Sequence, residues 1–401
     1  MSSPAPLLNR RLLLVMLAGL AMVGPFSVDT YLPSFRDMSA SLEVEEIYIQ
    51  QTLSAYLFAF ALMMLFHGTL TDTFGRRKVI LIALSIYSLA SFAAAFAPNL
   101  ETLLLLRALQ GMSAGAGVVV GRAIVRDLMS GVEAQRMLAH ITMVFAIAPA
   151  IAPLIGGWLQ TAYGWRSVFV FLTFVGMLLL SVVYMRLPES LPPSARQPLH
   201  LPTMLRNYGH ALCNVQFLFL AFSLGLSFSG FALYVASAPD LVMNVLRLPE
   251  TAFAWLFIPL VVGQIGGAWM ASRMAHTAVP GAMVRRAYTF MGLGALLNVG
   301  YNLWAPIPTV PWVTLPLVVY TLGVAMLMPN ITLRILDLFP STRGLAASLQ
   351  SFIQTTLFAV TSALAPIAFG SALKLAVGLS LCALLSGLSY TIALYARNRS
   401  A

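Results

Sequence analysis

Two charged residues of this chain lie inside long apolar runs, where a charge is costly. Asp29 is the only acidic residue placed well within such a run, and Arg107 follows four consecutive leucines. A carboxylate among apolar groups takes up a proton more readily than one in water, because burial disfavours its charged form. Asp29 therefore has the chemistry needed to carry a proton from one side of a membrane to the other.

The guanidinium of Arg107 also needs an explanation, because a cation at the centre of an apolar helix costs about 2.5–3.5 kcal/mol on insertion. Arg107 and Gln110 are three residues apart in the sequence and share one face of a helix. Plainer explanations stay open for both charges. Asp29 then caps a helix near the outer interface, and Arg107 extends its side chain to the headgroup level.

No pattern of a catalytic or metal site accompanies these charges. Cys213 and Cys382 are isolated and lack the spacing of metal ligands. The pentapeptide 111–115 matches the GxSxG pattern of a hydrolase, but it lies in an apolar run that predicts a helix, where small residues favour close packing. The sequence also contains no HExxH motif and no phosphate loop. It therefore predicts neither an enzyme nor a bound metal or cofactor.

Polar and aromatic side chains within the apolar runs are the candidates for a substrate pocket. Many aromatic residues and 20 methionines suit an adaptable, mostly apolar pocket, which favours small amphiphilic compounds over sugars. The same residue types also fill the lipid-facing helices of any membrane protein. The candidates are Tyr31, Tyr56, Gln110, Phe231, Tyr234, Gln264, Asn298, Asn330, Gln350 and Gln354.

The elements that position these residues are predicted to be membrane-spanning helices. Hydrophobic residues make up 59% of the chain and charged residues 9%, which is typical of a membrane protein. Runs of about 20 apolar residues cross the hydrocarbon layer as helices, because lipid offers no partner for backbone groups. We predict an all-α fold with twelve spans, at 12–34, 47–69, 79–97, 102–126, 134–160, 166–186, 213–236, 251–273, 286–304, 312–336, 345–370 and 375–396.

The basic residues predict the topology, because lysine and arginine resist translocation across the membrane. They concentrate at the ends of spans on the side of the N-terminus, so both termini are expected to be cytoplasmic. The net charge of +10 is explained by this distribution, and binding to nucleic acid is not expected. A polar stretch at 191–211 is predicted to link two six-helix halves, 1–190 and 212–401. Such halves are typical of a transporter with a site at the midplane.

The stretch 68–78, GTLTDTFGRRK, lies between the second and third predicted spans. It resembles, position for position, the loop between spans two and three of the major facilitator superfamily. The resemblance implies a conformational latch between the two halves, with Asp72 facing the start of span eleven at 341–344. The alternative is a plain charged turn that sets topology. The latch residues are Gly68, Asp72, Gly75, Arg76 and Arg77.

Two further stretches are similar to motifs of the same superfamily. The run Arg107 to Gly111 resembles the motif of span four, in which the arginine assists proton transfer, so Arg107 joins Asp29 as a predicted coupling residue. Span five resembles the kinked helix of antiporters, although Ala152 stands where the motif usually has glycine. Prolines there remove helix hydrogen bonds and bend the axis. The motif residues are Pro149, Pro153, Gly156 and Gly157.

The spacing of Asp29, Tyr31 and Pro33 resembles the Bcr/CflA-type branch of twelve-span drug:proton antiporters. This resemblance implies proton-coupled efflux of small amphiphilic compounds across the bacterial inner membrane by alternating access. It also implies a monomer that uses protons as the coupling ion and no other cofactor. Two alternatives remain: an exporter of an endogenous metabolite such as an amino acid or siderophore, and a lipid-handling or sensor protein without transport.

Overall fold

The computed structural model describes residues 9–198, 200–274, 281–305, 307–340 and 342–400, and the regular structure in these ranges is helical. The predicted all-α fold is therefore confirmed. The helices are α1 (Arg10–Asp29), α2 (Phe35–Leu42), α3 (Glu46–Phe74), α4 (Arg76–Ala94), α5 (Leu100–Leu128), α6 (Gly131–Tyr163), α7 (Arg166–Arg186), α8 (Leu201–Cys213), α9 (Val215–Ala236), α10 (Ala254–Met274), α11 (Ala282–Trp304), α12 (Leu315–Asp337), α13 (Arg343–Leu364) and α14 (Ala372–Ser400).

Eleven segments of the described ranges contain helices that are long and apolar enough to cross a membrane. The remaining predicted span, 286–304, forms the 23-residue helix α11, which is less apolar than the others. Its polar residues Asn298 and Asn302 are buried inside the fold. They are hydrogen-bonded there, and a buried polar group with a partner is tolerated within a helical bundle.

The chain divides into two compact units, residues Met1–His200 (the N-unit) and Leu201–Ala401 (the C-unit). The boundary falls inside the stretch 191–211. That stretch holds a short 3-10 turn at Pro193–Ala195 and most of α8. Met204, Tyr208 and Ala211 form the buried face of α8, which packs against α9 and α13. Burial raises the pKa of Tyr208 to about 12.

The two units share one pattern of helix packing. In the N-unit, α1 packs against α5, α6 and α7, α3 against α5, and α4 against α5 and α7. In the C-unit, α9 packs against α12, α13 and α14, α10 against α12, and α11 against α12 and α14. Counting the six long helices of each unit in chain order, these pairings are the same. The internal repeat is thus visible in the packing, although the sequence repetition between the halves is faint.

The connection between α3 and α4 is shorter than the sequence suggested. The sequence predicts that 68–78 connects two spans as a loop, but α3 continues to Phe74 and α4 begins at Arg76. Gly75 alone reverses the chain, with φ of 95° and ψ of 153°. This is a region of backbone conformation that only glycine adopts readily. Polar residues continue a helix beyond its apolar span where water or neighbouring side chains hydrogen-bond to their side chains. Here they continue α3 for about one further turn.

Candidate functional site

Asp29 is the last residue of α1 and is buried, with 3% of its surface exposed. Among the described residues, no basic side chain lies within ion-pair distance of its carboxylate, and it accepts no hydrogen bond. The chain continues from α1 through a buried 3-10 turn, Leu32–Ser34, into α2. Asp29 therefore lies at a break between two helices, enclosed by protein.

Arg107 is enclosed completely and has partners on several helices. Its two terminal nitrogens donate hydrogen bonds to Oε1 of Gln110 (2.8 Å) and to the backbone carbonyl of Ser27 (2.9 Å). Its guanidinium carbon lies 4.1 Å from the ring centre of Tyr31 and 4.5 Å from that of Tyr56. Aromatic faces attract cations, so the two rings partly replace the water that Arg107 has lost. The alternative in which the Arg107 side chain extends to the headgroup level does not fit this enclosed position.

Close packing of three helices builds this enclosure, and glycine makes it possible. A Cβ atom at Gly111 on α5 would overlap the backbone carbonyl of Tyr56 on α3. A Cβ atom at Gly117 would likewise overlap the carbonyl of Leu20 on α1. The two glycines let α5 approach both neighbours at backbone distance, as small residues commonly do between membrane helices. The resemblance of 111–115 to a hydrolase motif is thus explained by packing.

A polar network surrounds Arg107, and most of its members were missed by the sequence analysis. Gln110 donates from Nε2 to Oγ of Ser91 on α4 (2.7 Å). The hydroxyls of Ser27 and Tyr87 lie 2.7 Å apart and join α1 to α4. The one sequence signal for Ser27 was its position two residues before Asp29. Its bond to Arg107 uses the backbone carbonyl, which no side-chain pattern reveals.

The predicted kinked helix of span five is α6, a 33-residue helix that is continuous through Pro149 and Pro153. It packs against α1 and against the 3-10 turn that follows Asp29. A Cβ atom at Gly156 would overlap the carbonyl oxygen of Thr30, the residue next to Asp29. The glycine of this motif therefore allows α6 to contact the backbone beside the buried carboxylate.

The predicted substrate residues gather only in part. Tyr31, Tyr56 and Gln110 lie together around Arg107 in the N-unit. In the C-unit, Tyr234 is hydrogen-bonded to Asn298 (2.6 Å), and the amide of Asn330 donates to the carbonyl of Met326 (2.9 Å). Asn330 also donates to Sδ of Met283 on α11 (2.8 Å), so Tyr234 and Asn330 each contact a neighbouring helix.

The remaining C-unit candidates lie on three separate helices. Phe231 on α9 packs beside Phe228, with ring centres 5.0 Å apart. Gln350 on α13 donates to Oγ1 of Thr332 (3.0 Å), whereas its Oε1 is buried without a partner. Gln264 on α10 and Gln354 on α13 are half-buried. A substrate role for these residues remains a prediction.

The predicted latch residues form a compact ionic network inside the N-unit. Arg76 is buried and donates from Nε to Oδ2 of Asp127 on α5 (3.0 Å) and from Nη1 to Oγ1 of Thr71 (3.1 Å). Nη1 also contacts the carboxylate of Asp72, near the end of α3. Asp72 is thus paired within its own unit. Its predicted partner stretch includes Ser341, which lies outside the described residues.

Glu189, which the sequence analysis did not single out, completes this end of the N-unit. Its carboxylate accepts hydrogen bonds from the backbone N–H groups of Arg76 (2.9 Å), Arg77 (3.3 Å) and Leu191 (3.1 Å). Two of these groups belong to the first turn of α4, where unpaired N–H groups and the helix dipole favour a negative charge. The segment after α7 is thereby fixed to the start of α4.

Replacing Gly75 by alanine is expected to destabilise this end of the N-unit. The backbone conformation at Gly75 would cost alanine about 1–3 kcal/mol, and its Cβ would overlap the Glu189 carboxylate that caps α4. We expect a lower melting temperature of the purified protein. The matched control is Gly209→Ala in α8, where the space is open and φ is not positive. An unchanged melting temperature for Gly75→Ala would contradict this account.

The sequence matches the model of the Major Facilitator Superfamily over residues 12–366. The chain belongs to the major facilitator superfamily. The resemblance inferred from the loop after span two and from spans four and five is thus confirmed at this level. The superfamily consists of transporters, so the chain is a multi-pass membrane transport protein rather than an enzyme.

Individual relatives within the superfamily agree with this assignment. Multidrug resistance protein D of Escherichia coli is 30% identical over 348 residues, covering 85% of each chain. The bicyclomycin resistance protein homolog of Haemophilus influenzae is 29% identical over 289 residues, covering 70% of this chain and 73% of its own. The crystal structure of a D-xylose-proton symporter superposes with a TM-score of 0.72 at 16% identity, over 94% of this chain and 96% of that one, which shows a shared fold.

Proposed function

We propose that this transporter exports small amphiphilic compounds, drugs among them, in exchange for protons by alternating access across the bacterial inner membrane. In this proposal, Asp29 takes up a proton on the outer side and releases it on the inner side. Arg107 holds the residues around Asp29 in position and supplies the positive field that favours release. Protons are the coupling ion, and no other cofactor is required.

The observation that carries this proposal is the arrangement of Asp29 and Arg107. Asp29 is buried and its carboxylate has no ion-pair partner within the described ranges, so it can exchange a proton without breaking an ion pair. Arg107 is bound to the carbonyl of Ser27, two residues before Asp29 on the same helix. A change in the charge of Asp29 therefore acts directly on the helix that Arg107 holds. Buried ionisable residues within membrane spans typically mark ion pathways.

The names of the relatives support the choice of cargo. Two of them are named for resistance to drugs, and one of these for resistance to multiple drugs. Tyr31 and Tyr56 place aromatic rings against Arg107, and pockets lined by aromatic side chains with a few polar groups are typical of sites for amphiphilic molecules. We propose further that both termini face the cytoplasm, that the protein acts as a monomer, and that the Asp72 region serves as the latch between the halves.

Dye accumulation in cells tests the efflux proposal. Cells expressing the protein, and cells carrying an empty vector, are loaded with fluorescent amphiphilic dyes of different charge, with and without a protonophore. We expect lower accumulation of at least one dye in expressing cells, and loss of the difference with the protonophore. A difference that survives the protonophore would contradict proton coupling. No difference for any dye, with a growth defect of a deletion strain on one metabolite, would favour metabolite export instead.

Replacing Arg107 by lysine is expected to reduce transport at least tenfold while the protein stays folded. Lysine keeps the charge, but it cannot reach Gln110 and the Ser27 carbonyl together, nor present a flat face to two aromatic rings. The measurement is the initial rate of dye efflux, with the amount of folded protein checked by size-exclusion chromatography. Arg11→Lys is the control, since Arg11 is exposed at the start of α1. Full activity of Arg107→Lys would show that only the charge matters.

A further inference from the structure

A second arginine of α5 has no partner among the residues that the structure describes. Arg122 lies six residues before the end of α5, about 9 Å along the helix, and its side chain is exposed on the surface of the N-unit. Among the described residues it makes no ion pair, hydrogen bond or ring contact. This differs from Arg107, which is fully enclosed and satisfied on several sides. The guanidinium of Arg122 is therefore available to a group from outside the unit.

The carboxylates at the same end of the N-unit are already engaged. Asp127 accepts from Arg76 (3.0 Å) and from the hydroxyl of Ser190 (2.9 Å). Glu133 is paired with Arg10 at 2.8 Å, and Glu189 caps α4. The fold thus supplies no counter-ion for Arg122 from these acids.

Arg126 increases the positive charge at this place. It follows Arg122 by one helical turn, and its side chain is also exposed without an ion pair among the described residues. Two like charges four residues apart on a helix repel each other, so their proximity is unfavourable unless an anion lies nearby. A guanidinium binds carboxylate, phosphate or sulfonate groups through two parallel hydrogen bonds. The pair therefore has the chemistry of an anion site.

An apolar cleft adjoins Arg122 between α1, α5 and α6. Its volume is about 50 Å³, and its lining includes Leu17, Gly121, Leu138 and Phe145 as well as Arg122. This is room for roughly four water-sized groups. The cleft thus has room for the end of an alkyl chain. A cation at the edge of an apolar cleft matches a molecule that has a negative head and an apolar body.

We propose that Arg122, with Arg126, binds the anionic head of an amphiphile, namely a carboxylate, phosphate or sulfonate, while its apolar part enters the cleft. Two sources offer this chemistry: a transported compound and the headgroup of an anionic phospholipid. The assignment to a transported compound rests on the proposed efflux function. Binding itself does not require transport. The site adds a negative charge to the expected chemistry of the amphiphilic substrates.

Binding of radiolabelled dodecanoate to the full-length protein in phosphatidylcholine nanodiscs tests this proposal, with empty nanodiscs as the blank. We expect Arg122→Gln to weaken binding at least tenfold, Arg126→Gln to weaken it several-fold, and Arg122→Lys to have an intermediate effect. Arg11→Gln, at an exposed arginine of α1, serves as the matched control and should bind like wild type. Dodecyl phosphate should compete, and dodecyltrimethylammonium should not. Equal affinity of Arg122→Gln and wild type, or an equal loss in Arg11→Gln, would overturn the proposal.

Two further measurements identify the source of the anion and test whether binding depends on transport. If phosphatidylglycerol in the nanodiscs displaces dodecanoate, the site holds a lipid headgroup; if it does not, the site serves a free amphiphile. The anion site stands in either case. Asp29→Asn should bind dodecanoate like wild type, because Asp29 is not part of this site. Failure of proton-driven efflux therefore leaves this proposal intact, and failure of dodecanoate binding leaves the efflux proposal intact.

Discussion

Replacing Asp29 by asparagine is expected to abolish proton-driven export and leave the protein folded. Asparagine has nearly the same shape, and the carboxylate makes no hydrogen bond or ion pair among the described residues that the change would break. The asparagine side chain cannot bind or release a proton in this way. One proton crossing 100 mV carries about 2.3 kcal/mol, which sustains roughly a 50-fold concentration ratio of substrate. We expect this ratio to fall to one in the variant.

Everted membrane vesicles with an imposed pH gradient provide the measurement. The rate and final extent of dye uptake are compared for wild type, Asp29→Asn and Glu101→Gln. Glu101 is an exposed acid in the first turn of α5, so its neutralisation controls for a general loss of negative charge. Exchange of labelled for unlabelled dye without a gradient should persist in Asp29→Asn, because exchange requires no net proton transfer. Uptake by Asp29→Asn at the wild-type rate would exclude Asp29 as the coupling residue.

Replacing Gly156 by alanine is expected to have the largest effect on folding and to impair transport as well. The added Cβ would overlap the carbonyl oxygen of Thr30, and the neighbouring carbonyl carbon would be 2.6 Å away. The Thr30 atoms belong to the backbone, and the backbone of residue 156 fixes the position of the Cβ. No change of side-chain rotamer therefore relieves the overlap. Overpacking of this kind costs typically about 1–3 kcal/mol. Because Thr30 follows Asp29 directly, any shift of α1 away from α6 also moves the carboxylate.

Thermal unfolding of the purified protein and dye efflux are the two readouts for this change. Gly292→Ala in α11 is the matched control, because nothing lies within 4 Å of an added Cβ there. Alanine also has a higher helix propensity than glycine, so the control should be neutral or slightly more stable. We expect a clearly lower melting temperature and reduced efflux for Gly156→Ala only. Equal stability of the two variants would mean that α1 and α6 move apart without cost.

The positions of the long helices were predictable to within several residues. Each depends on a local property, namely an apolar run of sufficient length, and the bilayer requires its backbone groups to bond within the segment. Even α11, which is less apolar, was found from its run of small and apolar residues. The error at the stretch 68–78 arose because polar residues continue a helix as readily as they form a loop. Only the backbone dihedrals show that Gly75 is the single turning residue.

The candidate site was predictable in its residue types and not in its contacts. Asp29 and Arg107 were recognised because charges within apolar spans are rare and costly. Arg107 was not known to bind the Ser27 carbonyl, because backbone oxygens are present at every position and carry no sequence signal. Glu189 was missed for a related reason. It lies 113 residues from its partner Arg76, and nothing in either segment indicates that they meet.

The sequence by itself determined the class of fold, the order and approximate length of the spans, and the two charges on which a proton-coupled mechanism would depend. These follow from hydropathy and from the cost of burying charge, which act on each segment separately. The tertiary structure decided which residues come together: Arg107 lies between two tyrosines, and in the part of the chain that the structure describes neither Asp29 nor Arg122 has an ion-pair partner. The contacts of Arg107 join helices that are far apart in the chain, so no single segment of the sequence indicates them. The helices reach these positions because Gly111, Gly117 and Gly156 allow close backbone approach.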